Sequence, residues 1–328
     1  MSTFKAMVVY EKEKNFEKVI ENRTFSDLPN NEVLIRVKYS SLNYKDALSA
    51  TGHKGVTRNY PHTPGIDAAG VVENSKSDKF KKGDEVIVTG YDLGMNTPGG
   101  FAQYISVPSN WVVKKPTNLT LKKAMIFGTA GFTAALSVDK LMKFGTNKGG
   151  KILVTGATGG VGSIAISILA KEGFYTVAAT GKLSEENFLK TLGAKEIINR
   201  DDIIDEKKPL LKERWDGIVD TVGGTILSSA IKALKYGCSA TSCGLAQSPK
   251  LDLTVYPFIL RSVNLLGIDS VECSIDFKEY IWNKIANEWN IEFPKEFYEE
   301  VSLDSLNEKI DLILKGKIKG RILVNLDK

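Results

Sequence analysis

The segment Lys151-Ile-Leu-Val-Thr-Gly-Ala-Thr-Gly-Gly-Val-Gly162 constrains this chain more than any other. A short apolar strand runs straight into glycines at 156, 159, 160 and 162, and residues 163–171 then carry a helical pattern. Strand, glycine turn and helix in that order build the first βαβ unit of a parallel sheet. Glycines let the backbone turn sharply and approach a pyrophosphate, while the free N–H groups and positive end of the helix hold the phosphates. The spacing Gly156-x-x-Gly159-x-x-Gly162 departs from the common G-x-G-x-x-G, so the weight rests on the strand before and the helix after. Just upstream, Gly145-Thr-Asn-Lys-Gly-Gly-Lys-Ile152 almost spells a triphosphate loop. Ile152 replaces the magnesium-binding hydroxyl, and the strand follows the loop where it should precede it, so triphosphate chemistry is set aside.

The same rhythm continues. Strands are expected at 152–155, 175–179, 196–198, 217–221, 238–242 and 265–268, with helices at 161–171 and 184–192 between the first of them. Six strands make a complete doubly wound dinucleotide fold. Residues 1 to 120 read differently, with short runs such as Glu32-Val-Leu-Ile-Arg-Val-Lys38 and Asp84-Glu-Val-Ile-Val-Thr89 punctuated by glycine, proline and asparagine. That is the pattern of a mainly β domain. The tail shows helical stretches at 277–288 and 303–315 and a last strand at 321–325, which is expected to pack back on the first domain. The expected division is 1–124, 125–270 and a returning segment 271–328.

A chain of 328 residues can bury two cores without disulfides or metals. Its 42 % apolar and 25 % charged residues exclude a disordered or fibrous protein. The net charge of +5 is dispersed, so neither nucleic acid nor a polybasic membrane surface is indicated. The three cysteines, Cys238, Cys243 and Cys273, all lie in the last third; no disulfide framework follows, and a reducing compartment is expected. No signal-type run opens the chain and no apolar stretch of about 18 residues occurs, so a cytoplasmic location is expected. His53 and His62 flank a loop without a third ligand-type residue at metal spacing and read as surface residues.

Cofactor choice is read at the end of the second strand, where an acidic residue would bind the ribose hydroxyl of NAD. Here Thr180-Gly-Lys182 stands instead, with Ser184 beyond it and Arg200 after the third strand. A cation with hydroxyls suits a 2′-phosphate, so NADPH is expected over NADH.

The order of β domain first and dinucleotide domain second resembles the medium-chain dehydrogenase/reductase superfamily over essentially the whole chain. That resemblance implies a GroES-like, mainly β catalytic domain followed by a doubly wound, parallel-sheet Rossmann domain. The zinc alcohol dehydrogenases of the superfamily place a Cys ligand in a strand-to-helix turn and a His ligand in a Gly-His-Glu stretch. The corresponding segments here are Ser41-Leu-Asn-Tyr-Lys-Asp46 and Pro64-Gly-Ile-Asp-Ala-Ala-Gly70, with Asn43 near the Cys position and Ile66 in place of the His. Residues 1–237 contain no cysteine for a structural zinc lobe, so no metal is expected.

Within the zinc-free branch, the segments Leu42-Asn-Tyr-Lys-Asp-Ala-Leu48, Pro64-Gly-Ile-Asp67, Gly99-Gly-Phe-Ala-Gln-Tyr104, Thr180-Gly-Lys182, Cys243-Gly-Leu-Ala246, Pro257-Phe-Ile-Leu-Arg261 and Gly267-Ile-Asp-Ser270 resemble the acrylyl-CoA reductase group and its quinone oxidoreductase-like neighbours. The resemblance implies cofactor contacts at Tyr44, Thr158, Gly159, Gly160, Val161, Thr180, Gly181, Lys182, Arg200, Leu245, Ile259, Ser270 and Arg321. The group usually has Ser-Gly-Arg where this chain has Thr-Gly-Lys, which keeps charge and hydroxyl but loses the planar fork. Hydride addition to the β-carbon of an unsaturated thioester or ketone builds charge on the carbonyl oxygen, where donors are needed. Asn43 and Tyr44 are the expected donors, with Asp46 and Asp67 orienting them or the nicotinamide ribose. Lys45, Lys54 and Arg58 are candidates for a basic mouth receiving the phosphates of an acyl-CoA. The resemblance also implies a homodimer joined at the sheet edge formed by Leu265-Leu-Gly-Ile-Asp-Ser270. The leading expectation is an NADPH-dependent acrylyl-CoA reductase. A quinone or enone reductase and an NADPH-binding regulatory protein without turnover are the alternatives.

Overall fold

The computed structural model describes residues 3–13, 15–146 and 148–328. Met1 and Ser2, at the head of the expected first domain, and Asn147, in the upstream glycine loop, lie outside the described residues, as does Lys14. Two compact units emerge. One comprises Met1–Thr129, Val271–Asn290 and Lys295–Lys328, the other Ala130–Ser270 and Ile291–Pro294.

The first unit opens with an antiparallel hairpin, β1 (Thr3–Lys12) and β2 (Asn15–Thr24). Met7 and Val9 of β1 enter the main core, while Phe4, Ala6 and Val8 on the opposite face pack with Ala102, Phe25 and Tyr104. Next come β3 (Val33–Leu42), α1 (Tyr44–Ser49), β4 (Asp67–Ser75), β5 (Glu85–Thr89), β6 (Tyr104–Val107), β7 (Val112–Lys114) and the start of α2 (Leu121–Lys143). In β3, Val33, Ile35 and Val37 alternate into the core, as a half-buried strand requires. The strand runs past Lys38, where its alternation stops, because a strand from the far end of the chain bonds its last residues.

His62 is a correction. Expected on the surface, it is only 5 % exposed, since its N–H donates to Val9 O at 3.0 Å and its carbonyl accepts the Val9 N–H at 2.8 Å along β1. Burial pulls its imidazole below the usual range. His53 is exposed as expected.

In the second unit, β8 (Lys151–Val154), α3 (Gly160–Lys171), β9 (Tyr175–Thr180), α4 (Glu186–Thr191), β10 (Glu196–Asn199), β11 (Trp215–Asp220), α5 (Gly224–Lys232), β12 (Leu234–Ser242), α6 (Tyr256–Arg261) and β13 (Asn264–Gly267) follow one another. Its six strands are all parallel, in the order β10-β9-β8-β11-β12-β13. Counted from β8, this is the order 3-2-1-4-5-6 of the doubly wound dinucleotide fold. The helix expected over 184–192 is shorter, a 3-10 turn at Leu183–Glu185 leading into α4.

The chain then returns to the first unit with α7 (Ile275–Ala286), β14 (Tyr298–Val301), α8 (Leu306–Leu314) and β15 (Arg321–Asn325). β15 pairs antiparallel with β3, completing a seven-stranded sheet of order β14-β15-β3-β4-β5-β7 with β6 also on β3. Among the described residues, no helix is long and apolar enough to cross a membrane.

Candidate active site

In the first unit, one end of the sheet brings together the finish of β3 and the starts of β4 and β15. The pairs Tyr39 with Ala69 and Ile322 with Leu42 set a register that, continued, places Ser41 opposite Asp67 and Arg321 beside Asn43. Asn43 leaves β3 in an extended conformation and becomes the N-cap of α1. Asp46, three residues on, accepts the Asn43 N–H at 2.7 Å on one carboxyl oxygen and the Ile66 N–H at 2.8 Å on the other. The first turn of α1 is thereby tied to the strand-to-strand loop that precedes β4.

Asp67 is the hub of the cluster. Its Oδ2 accepts Ser41 Oγ at 2.5 Å, Asn43 Nδ2 at 2.7 Å and the Thr129 N–H at 2.9 Å, and its Oδ1 accepts Thr129 Oγ1 at 2.6 Å. Arg321 lies alongside, with Nη2 4.0 Å from Asp67 Oδ2. Its Nε donates to Ile126 O at 3.2 Å, and Nη1 donates to Leu42 O at 3.3 Å and Asn43 Oδ1 at 3.2 Å. Asp46 and Asp67 are fully buried. Burial first, and the Asp67 charge second, push the Asp46 carboxyl up to about 7, against the pull of its two backbone donors. Burial also draws Arg321 below its usual range, while Asp67 and Asp46 act in the opposite sense.

This geometry bears on two expectations. Both N–H groups of the Asn43 amide are engaged within the cluster, one to Asp67 and one to Ser41 O at 3.3 Å, and its Oδ1 accepts from Arg321. In this arrangement neither N–H is left over to donate to a substrate oxygen. Arg321, expected among cofactor contacts, is 4 % exposed and built into this cluster. Tyr44, the first residue of α1, is 52 % exposed and presents its phenol outward. Ser41, Gly128 and Thr129 escaped the sequence reading. The glycines at 128 and 131 inside the helical run 121–143 were the available signal.

In the second unit, the glycine turn behaves as its composition requires. Gly156 has φ +59°, and a Cβ on Gly162 would lie 2.5 Å from Gly156 O, so only glycine lets α3 start this close to the turn. Gly159 is the N-cap of α3, which Gly160 and Val161 open. A cavity of about 440 Å³ is walled by Thr155, Gly156, Thr158, Thr180, Gly181, Lys182, Arg200 and neighbours. Arg200 lies over Gly181, where a Cβ would sit 3.1 Å from its Nε. Thr180 Oγ1 accepts the Lys182 N–H at 3.0 Å, which leaves the hydroxyl proton to donate elsewhere. Desolvation holds the Lys182 ammonium below its usual range.

Leu245 lines a second cavity of about 670 Å³ with Cys243, Gly244 and Ile268, at the carboxyl ends of β12 and β13. The Cys243 thiol is pushed up to about 12 by burial and stays protonated. Ile259, 69 % exposed on α6, and Ser270 line neither cavity. The glycine turn, the free N–H groups at the start of α3 and the cation-lined cavity fit a phosphorylated dinucleotide.

Comparison with known proteins agrees with both halves. Residues 29–117 match the family described as alcohol dehydrogenase GroES-like domain, and residues 160–287 the family described as zinc-binding dehydrogenase. Acrylyl-CoA reductase AcuI of Ruegeria pomeroyi is 42% identical over 328 residues, 99% of each chain. Escherichia coli K-12 YhdH, solved with bound NADPH, superposes with a TM-score of 0.93 at 39% identity, covering 98% of this chain and 99% of that one. Bacillus subtilis YhfP, solved with NAD bound, superposes with a TM-score of 0.95 at 43% identity, covering 99% and 100%.

The second family's description implies zinc, and the donor set does not fit it. Asn43 offers an amide already bonded on every side and Ile66 offers nothing. Among the described residues, no three His, Cys, Asp or Glu side chains converge as metal ligands. With both halves matched in chain order and an end-to-end relative at 42% identity, the chain belongs to the medium-chain dehydrogenase/reductase superfamily of oxidoreductases.

Proposed function

We propose that this protein is a cytoplasmic, metal-independent, NADPH-dependent reductase of short α,β-unsaturated acyl-CoA thioesters, converting acrylyl-CoA to propionyl-CoA. The end-to-end identity with a protein named acrylyl-CoA reductase carries the reading. Bound NADPH supplies the hydride that adds to the β-carbon of the substrate. Lys182 and Arg200, with the Thr180 hydroxyl, would hold the 2′-phosphate. The end of β9 carries no carboxylate to repel it, and Asp201 is drawn to Arg200 at 3.6 Å. An anion beside Lys182 would also offset the desolvation that now disfavours its charge.

As the β-carbon gains its hydride, negative charge collects on the thioester oxygen. Tyr44 is the donor this unit can offer there, since its phenol is exposed and the backbone beneath it is held by Asn43, Asp46 and Asp67. The same phenol, or water, would return a proton to the α-carbon. Of the cations suited to the phosphates of an acyl-CoA, Lys45 and Arg58 form no ion pair among the described residues. Lys54 is taken by Glu11 at 2.8 Å.

The test is NADPH oxidation with acrylyl-CoA, crotonyl-CoA and a quinone under identical conditions. The reading expects the highest kcat/KM for acrylyl-CoA. A preference for the quinone would replace the substrate class, and NADPH binding without turnover of any of the three would point to a regulatory protein.

A further inference from the structure

Helix α2 is interrupted once. Gly128 adopts φ +52° and ψ −158°, a conformation closed to residues with a side chain. A Cβ there would lie 2.3 Å from Ser41 Oγ, 2.6 Å from Asp67 Oδ2 and 2.9 Å from Arg321 Nη2. The glycine is therefore required twice, by its dihedral angles and by the polar cluster packed against its Cα.

A helix running unbroken through this point would keep its N–H and C=O groups for its own ladder. Here the Thr129 N–H donates to Asp67 Oδ2 and the Ile126 carbonyl accepts from Arg321 Nε, so the groups flanking the break are spent on the site. The Thr129 hydroxyl adds the bond to Asp67 Oδ1, the one hydrogen bond that oxygen receives among the described residues. Without it, every donor to Asp67 falls on Oδ2 and Oδ1 no longer helps to fix the rotation of the carboxylate. That rotation matters because Asp67 Oδ2 and Arg321 Nη1 hold the Asn43 amide from its two ends.

We propose that Gly128-Thr129 is a positioning element of the active site. Through Asp67 it fixes the amide plane of Asn43, and with it the first turn of α1 that carries Tyr44. The proposal rests on the reductase reading for its kinetic consequences but not for its structural ones, and the two are tested separately.

Thr129→Val removes the hydroxyl at nearly constant shape and leaves the backbone N–H, and Thr129→Ser keeps both. Three quantities are measured on the full chain: the NADPH dissociation constant, steady-state kinetics with acrylyl-CoA across pH, and hydrogen exchange of the α1 amides. Thr129→Val is expected to lower kcat by about tenfold or more, as loss of a supporting hydrogen bond does, with NADPH affinity within about twofold of wild type. Thr129→Ser should restore most of that loss. Wild-type kcat and pH profile in Thr129→Val would overturn the proposal, as would an equal defect in Thr129→Ser. A loss of NADPH affinity matching the loss of kcat would overturn it too, by making Thr129 a cofactor contact.

If the wild type reduces none of the substrates, the function fails and hydrogen exchange decides this proposal alone. Thr129→Val should speed exchange of the Asn43, Asp46 and Ala47 N–H groups, which close the first turn of α1, by about tenfold or more, and Thr129→Ser should restore their protection. Unchanged exchange there in Thr129→Val would sink the positioning role whatever the substrate.

Discussion

Replacing Asp46 with asparagine probes the cluster most directly. The carboxyl is fully buried, accepts one backbone N–H on each oxygen, and is pushed up to about 7 by burial and by Asp67. In the unfolded chain an aspartate titrates near 4. Because the folded value is the higher one, the native state binds the proton more tightly. Stability from this group is therefore fully present below the unfolded value, falls as pH rises, and levels off above the folded value. At about 1.36 kcal/mol per unit, the loss between pH 5 and pH 8 is roughly 3 kcal/mol.

Asp46→Asn abolishes that pH dependence and adds a constant cost. The amide has one acceptor oxygen where two N–H groups need one each, and it turns its own NH₂ toward the other, a mismatch of about 1–3 kcal/mol. The variant should therefore gain on wild type by about 3 kcal/mol between pH 5 and pH 8, whatever its offset at either end. Denaturant unfolding followed by tryptophan fluorescence reports it, since Trp111, Trp282 and Trp289 belong to the same unit. A stability difference that stays constant across this range would show that Asp46 is not carried as a carboxyl reluctant to ionise.

Lys182→Glu should raise the NADPH dissociation constant far more than that for NADH, by removing a charge-assisted bond and adding repulsion; equal losses would remove Lys182 from the 2′-phosphate site. Tyr44→Phe should lower kcat with acrylyl-CoA by about tenfold to a thousandfold at saturating NADPH, as loss of a transition-state donor does. An effect on NADPH affinity alone would reassign the phenol to the cofactor. Activity should survive dialysis against a strong chelator, and activity lost to chelator and restored by zinc would overturn the metal-free mechanism. We further propose a homodimer joined along β13, the edge strand of the parallel sheet, which sedimentation at micromolar concentration checks and a purely monomeric profile refutes.

The dinucleotide half was legible from the residues because its signals are local. A strand, a glycine turn and a helix follow one another within residues 151–171, and their repetition dictates six parallel strands in a doubly wound order. That the end of β9 and Arg200 would wall one cavity was legible too, since the fold sets which strand ends lie side by side. In the other half, the sequence offered Asn43 and Tyr44 as donors and Asp46 and Asp67 as orienting groups, but not which partner each would meet.

Those partners were decided by pairing across long stretches of chain. β15 lies beside β3 and brings Arg321 to Asn43, and the break at Gly128 brings Thr129 to Asp67. Two aspartates that look alike in sequence therefore part ways. Asp67 collects donors from three residues, Ser41, Asn43 and Thr129, whereas Asp46 takes one backbone N–H on each oxygen and burial pushes it up to about 7. Periodicity along the chain encodes which elements form, because each residue's burial depends on its neighbours in sequence. Which polar groups meet inside a low-dielectric core depends on strand register and on one glycine's dihedral angles, and these belong to the tertiary structure.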